Sequence, residues 1–107
     1  MKIFYTPEAI NQLKEIKHYI AKELKNPKAA KTITEGITTD CKRLKDFPEL
    51  GIEVNLADDG RPVRLLISGN YVVIYDREMD DIIIVAIEDA RTNWISMIIP
   101  FREQIGE

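Results

Sequence analysis

Three short runs rich in β-branched and aliphatic residues crowd into Val63 to Trp94: Val63 to Ser68, Tyr71 to Asp76 and Ile82 to Ile87. Gly69-Asn70 separates the first two as a reverse-turn pair, and the polar patch Arg77 to Asp81 separates the second from the third. Connections this short predict an antiparallel meander of three strands. Lys2 to Tyr5, short and β-prone, predicts a fourth strand added at one side. Strands this apolar need a cover on at least one face, and the first half of the chain has the pattern to supply it.

Thr6-Pro7-Glu8 reads as a helix start: a hydroxyl cap, a proline in the first turn and an acid near the positive helix end. Leu13, Ile16, Ile20 and Leu24 recur at steps of three and four, so one apolar stripe faces inward while Lys14, Glu15, Lys17, Lys22 and Glu23 face water. Asn26-Pro27 stops this helix and begins a second, whose stripe is Ala29, Ala30, Ile33, Ile37, Cys41 and Leu44. The short turn between them predicts an antiparallel helical hairpin. Gly36 inside the second helix costs about 1 kcal/mol relative to alanine, which predicts a packing reason for its presence.

Phe47-Pro48-Glu49-Leu50-Gly51 is a turn-rich exit, and Ile52 to Gly60 reads as a loop crossing the sheet, ending in the turn signal Asp58-Asp59-Gly60. Asn93 to Ile99 reads as a last strand or a short helix, stopped by Pro100, with a frayed end beyond it. The expected class is α+β: an N-terminal strand and a helical hairpin on a three- to four-stranded antiparallel sheet, as one domain over residues 1–107.

Composition narrows the function classes. With 45% hydrophobic and 31% charged residues, the chain has the balance of a globular domain. Its longest aliphatic run, Ile82 to Ile87, falls far short of the roughly 20 residues of a membrane helix. The N-terminus lacks the pattern of a signal peptide. Cys41 and His18 are each alone of their kind, so neither a disulfide nor a metal cluster is expected, and a reducing cytoplasm is the expected compartment. No cofactor is expected. The net charge of −3 argues mildly against a phosphate-binding surface, yet five of the six arginines, Arg61, Arg64, Arg77, Arg91 and Arg102, lie in the second half. A local arginine patch therefore survives an acidic average.

The order and spacing of Leu13, Ile16, Tyr19-Ile20, Pro27, Ala29-Ala30, Leu44, Phe47-Pro48, Gly51, Arg64, Asn70-Tyr71, Tyr75, Arg91 and Trp94 resemble the ParE/RelE toxin superfamily of type II toxin–antitoxin systems, over about residues 3 to 94. The resemblance implies a helical hairpin on a small antiparallel sheet. It also implies one of two activities. RelE-like members cleave messenger RNA on the ribosome without a metal, activating a ribose 2′-hydroxyl against the next phosphate, which needs a base, an acid and cations. ParE-like members share the fold but poison DNA gyrase. Where the RNA-cleaving branch carries basic residues, this chain has Leu65 and Val72, and Glu88, Asp89 and Ala90 stand where most of a histidine-glycine-arginine motif belongs. Two acids beside a phosphate site repel the substrate. The resemblance therefore implies a toxin closer to the ParE branch, acting by contact with a target such as gyrase and neutralised by a cognate antitoxin. The alternatives are a ribosome-dependent endoribonuclease using Arg64, Arg91 and Tyr71, or an inactive toxin fold serving as a binding module or homodimer.

The candidate partner-binding residues are Arg61, Arg64, Tyr75, Arg91 and Trp94. Each has a plainer reading. Arg64 suits an ion pair with Asp76 or Glu88 on nearby strands. Arg91 suits a cap or an ion pair with Asp89. Tyr71 and Tyr75, four apart on one strand, share a face and suit either base stacking or packing on a helix. Trp94 suits a core plug or a partner anchor. His18 belongs with the solvated lysines of the first helix, and Cys41 with the core.

Overall fold

A computed structural model of the chain describes residues 1–55 and 62–92. Arg61, Trp94, Arg102, the tail and most of the segment 52–60 lie outside the described residues. In chain order the elements are β1 (Ile3–Tyr5), α1 (Pro7–His18), a π-helical turn (Tyr19–Glu23), α2 (Pro27–Lys42), a 3-10 turn (Arg43–Lys45), β2 (Ile52–Val54), β3 (Val63–Ser68), β4 (Tyr71–Glu78) and β5 (Asp81–Asp89). The expected α+β class is observed.

The sheet has five strands in the order β1-β5-β4-β3-β2. The meander β3-β4-β5 is antiparallel as expected, and β1 does join at one side, but parallel to β5. The stretch read as a loop from Ile52 contributes a further strand, since Ile52, Glu53 and Val54 pair antiparallel with Leu65, Arg64 and Val63. Only three residues long and flanked by turn residues, β2 carries too little alternation to announce itself as a strand.

Thr6 joins three parts of the fold. Its backbone N–H donates to Ile84 at 3.0 Å, its hydroxyl accepts from Ala9 N–H at 3.1 Å as the cap of α1, and the same hydroxyl donates to the Val85 carbonyl at 2.8 Å. Val85 is the extra residue of a β-bulge: Ile74 pairs with Ala86, and Tyr75 with Ile84. The bulge changes which side chains face the helices. Ile82 and Ile84 face them before it and Ile87 after it, while Val85 and Ala86 both go to the other face. An uninterrupted aliphatic run thus serves two layers.

The helix-side core joins Ala9, Ile37, Cys41 and Leu44 to Leu66, Val73, Tyr75, Ile82, Ile84 and Ile87. Across the sheet a second cluster gathers Val63, Val72, Ile74, Val85 and Ala86. Of the first stripe, Leu13, Ile16 and Ile20 pack inward as expected, but Leu24 is exposed. The chain widens into the π-helical turn at Tyr19, which rotates Leu24 off the stripe. In α2 the inward face is Ala30, Thr34, Ile37 and Cys41; Ile33 lies at the margin. Thr34 is tolerated there because its hydroxyl donates to the Ala30 carbonyl at 2.8 Å. Cys41 is buried beside Tyr5, and burial pushes its thiol up to about 11.

Gly36 has no packing reason. A Cβ built there meets nothing within 4 Å, and the residue is exposed. Gly36→Ala is therefore expected to raise stability by about 1 kcal/mol, read from the urea midpoint, through the backbone entropy that glycine loses in a helix.

Candidate partner-binding surface

Two constellations carry the described residues among those singled out above, Arg64 with Tyr75 and Arg91 with Tyr71; Arg61 and Trp94 lie outside the described residues. The first lies where the chain turns from α2 into the sheet. Tyr75 is fully buried, and its hydroxyl donates to the Pro48 carbonyl at 2.9 Å while accepting from the Gly51 N–H at 2.8 Å. Arg64, paired with Tyr75 across β3 and β4, donates from Nη1 to the Gly51 carbonyl at 2.8 Å and to that of Glu49 at 3.4 Å. Both side chains thus hold the Pro48–Gly51 backbone against the sheet. Burial raises the Tyr75 hydroxyl above its ordinary range, with the Gly51 bond and the Arg64 charge acting against it. Tyr75 reaches no solvent, while Arg64 keeps part of its surface open.

The second constellation lies at the far end of β4 and β5. Tyr71 and Asp89 pair across the strands, and Asp89 grips Arg91 with both carboxylate oxygens, from Nε at 3.0 Å and from Nη2 at 2.7 Å. Arg91 N–H also donates to Asp89 Oδ1 at 2.9 Å, while Thr92 donates to the Asp89 carbonyl from its N–H and its hydroxyl. A planar two-point grip fixes the guanidinium far better than a single surface contact does. The side chain nonetheless remains 73% exposed, with Nη1 unengaged among the described residues. The Arg91 bonds hold the Asp89 carboxyl below its usual range. Tyr71 is half-buried against the core, and its hydroxyl is raised by burial and by Asp89, with Arg91 opposing. Tyr19, exposed on the π-helical turn, lies close enough to act on both Tyr71 and Arg91. A tyrosine on the π-helical turn, a tyrosine at the start of β4 and a pre-positioned arginine just past β5 therefore lie within electrostatic reach of one another.

Beside this end, α1 seals the edge of β5 that β1 leaves uncovered. Gln12 Oε1 accepts from the Ile87 N–H at 2.7 Å, and Gln12 Nε2 donates to Glu88. Burial raises the Glu88 carboxyl above its ordinary range, and Glu8 adds to this; Gln12 opposes it, and Glu15 adds a little more. A carboxyl raised in the folded state contributes stability that is complete below its unfolded value near 4.5 and is lost as pH rises through the folded value. Glu88→Gln keeps an acceptor for Gln12 and removes that loss. The variant is expected to gain on the wild type in urea unfolding at pH 7 and to match it at pH 4. Asp89 has the opposite sign: its contribution is present above about 3.8 and lost as pH falls through its lower folded value.

Sequence reasoning paired Arg91 with Asp89 but left Tyr19 and Gln12 without a role. Tyr19 counted only toward the family resemblance, because its electrostatic reach to Tyr71 comes from the π-helical turn and not from any local pattern. Gln12 sits next to the apolar stripe, where a lone polar residue reads as surface. Among the described residues no group of His, Cys, Asp or Glu is placed to hold a metal ion, and no helix is long and apolar enough to cross a membrane.

Comparison with known proteins assigns the fold. The family model described as the ParE toxin of the type II toxin–antitoxin system ParDE matches residues 3–94. The chain belongs to the ParE toxin family. No curated protein sequence matches it. Among solved structures, a chain of the chromosomal ParDE toxin–antitoxin system from P. aeruginosa superposes with a TM-score of 0.66 at 21% identity, covering 83% of this chain and 95% of that one. At that identity the likeness speaks for the fold. Within the ParE frame, Arg64 and Tyr75 support the turn, whereas Tyr71 and Arg91 stand together at an exposed end of the sheet.

Proposed function

We propose that this ParE-family chain inhibits growth by binding a target protein in the cytoplasm, DNA gyrase being the target the family resemblance supplies, and that a cognate antitoxin neutralises it. The observation that carries the reading is the exposed Arg91, clamped by Asp89, which pairs across the strands with Tyr71. Arginine and tyrosine are the side chains that dominate protein interfaces, and a pre-organised guanidinium loses little freedom on binding. The same geometry suits RNA cleavage poorly. The carboxylate of Asp89 already neutralises Arg91, and Val72, where a basic residue would be needed, is fully buried opposite Glu88.

The test is induction in a bacterium, with gyrase-linked DNA breaks and transcript ends mapped in parallel, followed by binding of the purified chain to gyrase. Gyrase-linked breaks are expected. Arg91→Ala is expected to weaken target binding by about 2 kcal/mol, roughly thirtyfold, without unfolding the protein. Codon-phased messenger cleavage that disappears in Arg91→Ala would overturn the proposal in favour of a ribosome-dependent nuclease.

A further inference from the structure

The helical hairpin outruns the sheet. α1 passes β5 with Gln12 bonded to Ile87 and Glu88, and further along Tyr19 comes within electrostatic reach of Tyr71 and Arg91, where the strand ends. Beyond that point the π-helical turn packs on α1 and α2, and Ile20 and Ala30 are buried outside both core clusters. The tip from Lys22 to Lys31 therefore lies past the strands.

The charge of this end opposes that of the rest. Residues 17–31 hold Lys17, Lys22, Lys25, Lys28 and Lys31 against Glu23 alone, a formal +4; the whole chain is −3, so all other residues together carry −7. The five lysines are exposed, and none forms an ion pair among the described residues. Two of them stand where the backbone disfavours them. Lys25 has a φ of 52°, in the left-handed region that glycine adopts most readily after a helix. Lys28 lies in the first turn of α2, which holds no acid, although acids suit that positive end and α1 has Glu8 there. Positive charge is thus kept at the tip against the local preference of the fold, which points to a use outside it.

The side chains select among anionic partners. Lysine is a point charge that suits phosphates, and it is depleted from protein interfaces. A membrane-surface helix needs a broad apolar face, whereas Leu24 is the one large hydrophobic exposed between Lys22 and Lys31. No arginine stands there to read a base edge, and the Asn26 side chain already accepts from the Ala29 N–H. We infer that the tip of the helical hairpin binds the phosphate backbone of duplex nucleic acid, without regard to sequence. The acidic remainder of the chain turns this end toward a polyanion and keeps the opposite end away. Nothing in this depends on which target the Arg91 surface binds, and the test contains no target protein.

The full chain is titrated into a fluorescent DNA duplex of roughly 20 base pairs at about 50 mM salt, and anisotropy is followed as salt is raised. Binding is expected, with a log–log salt slope of about −3 to −4, as for about four phosphate contacts. A second duplex of unrelated sequence is expected to bind equally. The double variant Lys25→Gly/Lys28→Glu relieves both local mismatches, so it is expected to keep or raise the thermal midpoint. It is nevertheless expected to weaken binding about tenfold and to make the slope shallower by about 2. Lys45→Glu, an exposed charge reversal beyond the other end of α2, is expected to bind as the wild type does. Absence of binding at this salt, a slope shallower than about −1, unchanged binding in the double variant or an equal loss in Lys45→Glu would each overturn the inference. Tighter binding to phosphatidylglycerol vesicles than to the duplex would overturn it in favour of a membrane surface.

Discussion

Gly51→Ala is expected to cost about 3 kcal/mol, a large part of the stability of a domain this size. A Cβ at Gly51 would lie 2.7 Å from Tyr75 Cε1, 2.8 Å from the Tyr75 hydroxyl oxygen and 2.8 Å from the Leu65 carbonyl oxygen. None of these is the free end of a flexible chain. The ring is fully buried and the carbonyl belongs to β3, so relief requires the Pro48–Gly51 turn to move off the sheet. That movement stretches the Gly51 N–H bond to Tyr75 and the bond from Arg64 to the Gly51 carbonyl together. Urea unfolding followed by circular dichroism measures the loss. A cost below about 1 kcal/mol would show that the turn yields freely.

Tyr75→Ala is expected to cost more, about 4 kcal/mol, since it empties a large fully buried ring volume and orphans the Gly51 N–H and the Pro48 carbonyl. Tyr75→Phe separates the two contributions. It keeps the packing and is expected to lose about 1–2 kcal/mol through the two hydrogen bonds alone. Because Tyr75 and Gly51 touch, the double variant Gly51→Ala/Tyr75→Phe should fall short of the sum of the single costs. Binding to the target distinguishes support from contact. If Tyr75 acts only by holding the turn, folded Tyr75→Phe binds as the wild type does, whereas Arg91→Ala does not.

These predictions bear on how the arginines and tyrosines divide their work. Arg64 and Tyr75 spend their polar atoms on backbone, which fixes the exit from the helical hairpin and therefore the seating of the helices on the sheet. Arg91 and Tyr71 sit where β5 ends and the chain is free to present side chains outward. This chain thus keeps one arginine–tyrosine pair for its own support and leaves Arg91 exposed beside a half-buried Tyr71.

Much of this was legible in the chain itself, for local reasons. Thr6-Pro7 and Asn26-Pro27 announce both helix starts, because a capping side chain and a proline act within one turn, and the Thr6 and Asn26 side chains do accept from Ala9 and Ala29. Gly69-Asn70 marks the first hairpin, with Gly69 at a φ of 59°. The three meander strands and the inward positions Ile37, Cys41 and Leu44 follow from periodicity alone. What the tertiary structure alone decided depends on residues far apart in sequence. The bulge at Val85, held by Thr6, sends Ile87 to the helix side and Ala86 away from it, which no pattern within an unbroken aliphatic run can specify. The parallel pairing of β1 and the brief β2 arise from partners that cover them, not from their own three residues. Glycines show the same division: the helical Gly36 reads in sequence as the one with a packing reason and Gly51 as an ordinary turn residue, yet Gly36 faces open space and Gly51 faces Tyr75, because a missing Cβ matters only when another part of the fold comes to occupy its place.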